Sequence, residues 1–263
     1  MKKFCTDYYE IGAKKANGPW VRFAHFSDLH GTVYGDHQEG LLCALEEIKP
    51  DIIVVTGDVI DLDRRKLWAA VEFFQKAAGQ YPVFFSNGNH ETRYSRCEDL
   101  YGKAYDCFVR ELNKAGVTIL NNQWSFFTKN GRRFQVAGYE APLDYFHRFS
   151  RQKPSAKDME QALGKIEGKD PVILLAHNPM YFSAYKEWGA DLTFSGHLHG
   201  GFIRLPGLGG VLSPQVQLFP RYDKGLFVEE GQALCVSAGL GDHSMAPRFG
   251  NPTHLPVVTW YYA

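Results

Sequence analysis

A chain of 263 residues is long enough for one large domain with a complete hydrophobic core. Its 44% apolar and 22% charged content is ordinary for a globular protein, and 29 basic residues against 29 acidic ones leave no net charge. That balance excludes a broad electrostatic grip on nucleic acid, so an acidic substrate has to be held by metal ions or by a few local Arg and Lys side chains. The five cysteines, Cys5, Cys43, Cys97, Cys107 and Cys235, are odd in number and contain no CxxC. They read as unpaired thiols in a reducing compartment, with a Cys97–Cys107 bridge as the alternative. No apolar stretch approaches the ~20 residues that span a bilayer. Met1-Lys2-Lys3 leads into Phe4-Cys5-Thr6-Asp7-Tyr8-Tyr9-Glu10 without a signal-peptide core, so the chain as written reads as cytoplasmic.

Taken in order, Val21–Ser27 and Asp51–Thr56 are short β-rich runs, and Tyr81–Ser86, Arg133–Ala137, Pro171–Ala176 and Ala190–Phe194 behave alike. Between them, Leu41, Leu42, Leu45 and Ile48 recur at helical spacing until Pro50 closes the segment. Leu67, Trp68, Val71 and Phe74 mark a second helix. Leu100, Tyr101, Tyr105, Phe108 and Leu112 mark a third that ends at Gly116. Ser155 with Asp158 predicts the N-cap of a fourth, running through Met159, Leu163 and Ile166. Alternating strands and helices predict an α/β fold. The last third, Ala233 to Tyr262, reads as strands with glycine turns, which a second sheet packed on the first would explain. With no repeat, low-complexity tract or linker, residues 1–263 read as a single domain with an N-terminal extension over 1–19.

Five short motifs carry the chemistry: Asp28-Leu29-His30, Gly57-Asp58, Gly88-Asn89-His90, the lone His177, and Gly196-His197-Leu198-His199. Each taken alone has a structural reading; a Gly-Asp is nearly uninformative, and His177 before Asn178-Pro179 reads as a buried packing histidine. Together they place oxygen and imidazole donors where strands hand over to loops, which is where open α/β sheets bind ligands. Such a donor set is what a two-metal hydrolytic site needs.

In this order and spacing the motifs resemble the pattern D-x-H, GD, GNH[DE], H, GHxH of the calcineurin-like metallophosphoesterases, with Glu91 completing the third motif. Ser195 to Gly201, Ile203-Arg204-Leu205-Pro206, Gly239-Leu240-Gly241 and Pro247-Arg248-Phe249 are similar to the bacterial YkuE-like phosphodiesterase branch. The resemblance implies two packed mixed β-sheets flanked by helices, an α/β/β/α sandwich, and a hydrolase of phosphate esters. It implies two divalent transition-metal ions, Mn²⁺ first and Fe or Zn²⁺ as alternatives. Asp28, His30, Asp58 and His199 would hold one ion. Asp58, Asn89, His177 and His197 would hold the other, with Asp58 bridging and a metal-bridging hydroxide as nucleophile. His90, outside this ligand set, is expected to stabilise the phosphoryl group or protonate the leaving oxygen. The expected substrate is a small-molecule phosphate ester, a phosphodiester first. A phosphomonoester, or a pyrophosphate bond in a nucleotide-linked lipid or sugar, is the alternative, and a non-catalytic scaffold is disfavoured by the complete ligand set. Many members of this branch carry an N-terminal export or membrane segment, and this sequence begins where that segment would end. Membrane association or export therefore stays open beside the cytoplasmic reading.

Softer expectations surround this set. Glu91 and Asp61 read as acceptors behind the metal ligands or as solvated acids. His25, mid-strand, reads as packing, whereas His37 and His243 fall in loops. Arg204 and Arg248 are the candidates for binding substrate phosphate, with Arg93 behind them, since a guanidinium takes two oxygens. The glycine-rich span Gly200–Gly210 lacks any nucleotide-loop spacing and reads as a loop bordering the site, with Phe202 within it. Tyr139, Tyr145, Phe146, His147 and Phe149 read as core or rim, with an aromatic wall around a leaving group as the sharper alternative.

Overall fold

The computed structural model describes residues 3–16, 18–61, 64–97, 100–147, 150, 152–201, 203–205, 207–212, 218–242 and 248–262. In chain order the elements are β1 (Cys5–Ile11), β2 (Trp20–Phe26), α1 (Glu39–Ile48), β3 (Ile52–Val55), α2 (Arg64–Ala78), β4 (Val83–Phe85), α3 (Asn89–Ser95) and α4 (Leu100–Lys114). They continue with β5 (Thr118–Ile119), β6 (Gln123–Lys129), β7 (Arg132–Tyr139), α5 (Ala156–Leu163), β8 (Val172–Ala176), α6 (Phe182–Trp188) and β9 (Leu192–Ser195). Then follow β10 (Arg204–Leu205), β11 (Gly209–Gly210), β12 (Gly225–Glu229), β13 (Gln232–Val236) and β14 (His254–Tyr261).

Two six-stranded mixed sheets result, ordered β1-β14-β2-β3-β4-β5 and β12-β13-β9-β8-β7-β6. In the first, β2 through β5 run parallel; in the second, β13, β9, β8 and β7 do. Of the strands that lead to the motifs, β3, β4 and β8 are apolar at every position because both their faces are buried. On β3, Ile53 and Val55 pack under helices while Ile52 and Val54 face the other sheet. On β8, Ile173 and Leu175 face the first sheet while Leu174 and Ala176 pack under helices. Three cores follow: Leu41, Phe74 and Phe108 from α1, α2 and α4 against the first sheet, Met159 and Phe182 from α5 and α6 against the second, and a middle core between the sheets. Phe127 and Phe134 stack in that middle core at 4.9 Å and 7°. Each such ring contributes about 1.5–3 kcal/mol by leaving water. This is the α/β/β/α arrangement expected from the sequence.

Local details depart from the expectation in instructive ways. Residues 5–11, read as extension, form β1 and pair parallel with β14 at the edge of the first sheet. The fourth helix stops at Leu163 and not at Ile166. Gly164, at φ 81°, takes the C-terminal position there, while Ser155 and Asp158 form the capping box that opens the helix. All five cysteines are free. Among the described residues, no helix is long and apolar enough to cross a membrane.

Candidate metal centre

All five motifs lie just past strand ends, Asp28 after β2, Asp58 after β3, Asn89 after β4, His177 after β8 and His197 after β9. The first three belong to one sheet and the last two to the other, so the site straddles the seam between the sheets. Each loop is fixed to the next by main-chain hydrogen bonds. Asp28 N donates to Gly57 O (2.9 Å), His30 N to Asp58 O (3.0 Å) and Gly196 N to His177 O (2.9 Å).

The backbone carries a signature of its own. Asp28, His30, Asp58, His197 and His199 all have φ between 45° and 67°, the left-handed region that residues with a Cβ rarely occupy. Such positions cost of order 1–3 kcal/mol each and gather where function demands them. The motif glycines answer to the same crowding. A Cβ on Gly57, at φ 84°, would strike the Gly88 backbone, and one on Gly196 would strike Ser27 and Asp28.

The side chains then converge. Three groups of ligating atoms lie within 4.8 Å of one another: Asp28, His30 and His199; His30, Asp58 and His90; and Asp58, His177 and His197. His199 Nε2 is 3.3 Å from Asp28 Oδ1, and His177 Nε2 is 3.2 Å from Asp58 Oδ2. His30 Nε2 and His199 Nε2 stand 3.2 Å apart, two imidazole nitrogens aimed at one spot. Asn89 Oδ1 is buried without a hydrogen-bond partner. A buried carbonyl left so costs about 1–3 kcal/mol. His177 Nδ1 donates to Thr56 O (2.6 Å), which turns Nε2 toward Asp58 as the nitrogen that could take a metal. Anionic oxygens, a neutral amide oxygen and imidazole nitrogens facing one another fit divalent cations.

Electrostatics point the same way. Burial pushes the Asp28 carboxyl up to about 6, with His177 opposing and Asp58 adding to the shift. Burial works against a charged His177, yet the Asp58 and Asp28 carboxylates outweigh it and hold the imidazole up at about 9. Burial would also raise Asp58, but His177 and His90 outweigh it and hold that carboxyl well below the usual range. Without metal, a proton on His177 thus supplies the positive charge that the carboxylates require.

His90 sits differently from the other histidines. Its side chain is 21% exposed, its Nε2 lies 3.9 Å from Asp58 Oδ2, and its ring meets that of His30 at 4.9 Å. Its amide donates to Asp58 Oδ1 (2.8 Å). Asp28 accepts from His197 N (3.1 Å) and from Ser27 Oγ (2.6 Å), tying the first sheet to the second. Glu91 is neither a solvated acid nor an acceptor for an imidazole. It is fully buried and takes the amides of Asp58 (2.7 Å), Val59 (2.8 Å), Ile60 (3.1 Å) and Gly88 (3.0 Å). Burial and the Asp58 charge raise its carboxyl. Asp61 is half-buried in the loop beyond Asp58.

Outside this cluster, His25 is a buried packing residue bonded to Thr56 Oγ1 (2.8 Å), as expected. His37 is exposed and pairs with Glu72, and Arg93 is exposed on α3. Arg204 gives its guanidinium to Asp223 (2.7 Å). Arg248 reaches His199 Nδ1 at 3.1 Å. Tyr139 is buried against Tyr185, Tyr145 packs on Tyr181, and His147 pairs with Asp144, whereas Phe146 meets the candidate ligands directly. Phe149, Phe202, Pro206, His243 and Pro247 lie outside the described residues. Sequence reasoning missed Ser27 and Thr56, each adjoining a motif. It also missed Asn251, whose amide holds the carbonyl of Gly201 (2.7 Å) and which no pattern announces.

The profile of the calcineurin-like phosphoesterase family matches residues 21–201. YkuE of Bacillus subtilis, an uncharacterised metallophosphoesterase, is 24% identical over 243 residues, covering 90% of this chain and 78% of its own. The phosphodiesterase YaeI of Escherichia coli is 27% identical over 197 residues, covering 74% of this chain and 65% of its own. Among the first curated relatives, the chain spans as little as 38% of the partner's length. The crystal structure of the calcineurin-like phosphoesterase YfkN from Bacillus subtilis shares the fold with a TM-score of 0.53 at 15% identity, over 90% of each chain.

Proposed function

The chain belongs to the calcineurin-like phosphoesterase family, and from that premise we propose that it is a phosphodiesterase working with two divalent transition-metal ions, Mn²⁺ first. The carrying observation is the run of three donor groups, the first joined to the second through His30 and the second to the third through Asp58, beside a buried Asn89 oxygen that has no donor of its own. In this reading Asp28, His30, Asp58 and His199 hold one cation, and Asp58, Asn89, His177 and His197 the other. When bound, the cations supply Lewis-acid polarisation of the phosphoryl oxygens and a lower pKa for the attacking water.

The chain's own groups do the rest. Two carboxylates against two divalent cations leave the loaded site net positive, which draws a phosphate anion out of water. A neutral amide at Asn89, in place of a third carboxylate, preserves that charge. His90, the histidine of the cluster with an open side toward solvent, hands a proton to the departing ester oxygen. Ser27 and Glu91 keep the Asp28 and Asp58 loops in place, and Arg248 is the arginine already beside the centre, at His199. The similarity to a relative named as a phosphodiesterase, YaeI, supports diester over monoester. Metal-reconstituted protein assayed on bis-p-nitrophenyl phosphate and p-nitrophenyl phosphate tests this directly. Faster turnover of the diester is expected; exclusive monoester cleavage would overturn the assignment.

A further inference from the structure

We propose that Phe146 is the specificity-determining residue of this site, a platform on which a flat aromatic ester group of the substrate stacks beside the metals. The proposal rests on the phosphodiesterase reading and deepens it. Phe146 ends a short 3₁₀ turn over Leu143–Phe146, and its side chain is half-buried. Its ring meets His197 edge to face at 5.0 Å and 79°, and lies tilted 6.1 Å from His177. These two imidazoles are themselves 5.0 Å apart. The three rings therefore form one wall of the Asp58, His177 and His197 group.

A second run of aromatic rings starts from the same cluster. From His30 the rings of His90, Tyr94 and Tyr101 follow one another at 4.9, 6.2 and 5.9 Å, and Tyr101 is 38% exposed. The turn bearing Phe146 packs against α3, which bears His90 and Tyr94, so the two runs of rings adjoin at the cluster. A phenyl ring left half in water forgoes part of the 1.5–3 kcal/mol that burial would bring. Aromatic rings prefer offset-stacked or edge-on partners, so a half-exposed ring beside the cluster favours a planar group over an alkyl one. The chemical class is an aryl or heteroaromatic phosphodiester, nucleoside esters included.

The test separates this role from simple packing and from the diesterase reading. Phenylphosphonate and methylphosphonate, neither of them hydrolysed, are titrated calorimetrically into the metal-loaded protein. The native protein should prefer the phenyl ligand by roughly two- to tenfold, the worth of one ring–ring contact. Phe146→Leu, which keeps apolar bulk without a ring, should erase the preference, and Phe146→Tyr should keep it, both with unchanged metal content by elemental analysis. A native protein without the preference overturns the proposal, as does Phe146→Leu retaining it. Loss of metal in Phe146→Leu also overturns it and makes Phe146 a prop for the His197 and His177 imidazoles. Hydrolysis of bis-p-nitrophenyl phosphate is measured alongside. Its absence would remove the diesterase reading while leaving the binding comparison to stand or fall by itself.

Discussion

The Asp58 carboxylate lies between His177 on one side and His90 on the other, and its own amide is held by Glu91. If one carboxylate serves both cations, as proposed, Asp58→Ala should lose both metals and all activity together. Elemental analysis and circular dichroism should show an empty but folded protein, since the substitution removes no apolar side chain from the three cores. His90 tests a different role. His90→Asn should keep both metals and lose roughly 10²–10⁴-fold in turnover, the usual worth of general acid–base help. The loss should shrink for a leaving group such as p-nitrophenolate, which needs little protonation. Its place in a potential ligand group with His30 and Asp58 gives the experiment two clear arms. Loss of a metal, with activity per remaining pair unchanged, would make His90 a ligand instead of an acid.

At the scale of elements, α3 begins on the third motif, and its Glu91 joins that motif to the second through four amides. Glu91→Gln turns one acceptor oxygen into an NH₂ that faces buried N–H groups. At about 1–3 kcal/mol per unsatisfied buried donor, this should cost roughly 2–5 kcal/mol. Thermal unfolding of metal-free protein reads that cost, and an unchanged Tm would show that the loop holds without the carboxylate. Strands β3, β4 and β8 were legible in the sequence because burial on both faces makes them continuous apolar runs, and β2 and β9 because their residues are mostly apolar or β-branched. The motifs were legible because glycine and ligand types recur at the ends of those runs. Glu91's partners were not, since an acid at a helix start looks the same whether water or four amides surround it. Nor was β1, whose exposed, mixed residues read as an extension until β14, about 250 residues later, pairs with it. Long-range pairing leaves no local periodicity to read. Arg204 looked free to bind phosphate for a similar reason: Asp223, its partner, is distant in sequence.

Over the whole molecule, the site is where the two sheets are joined, since Asp28 of the first accepts the His197 amide of the second. Cations bound there would bridge the layers and stabilise the folded state by mass action, about 2.7 kcal/mol at a hundredfold excess over Kd. For a chain of this size that is roughly 5–10 °C in Tm. Chelation should remove the gain, and Asp58→Ala should show none to remove. The gain should also depend on pH with a fixed sign. The metal takes the neutral imidazole, whereas the carboxylates keep His177 protonated up to about 9 in the metal-free protein. Loading at neutral pH therefore displaces a proton, and affinity should rise as pH climbs toward that value. Calorimetric titration with Mn²⁺ in two buffers of different ionisation enthalpy measures the protons released. A release of zero would mean that the carboxylates do not hold His177 charged, and that its proximity to Asp58 acts through geometry alone.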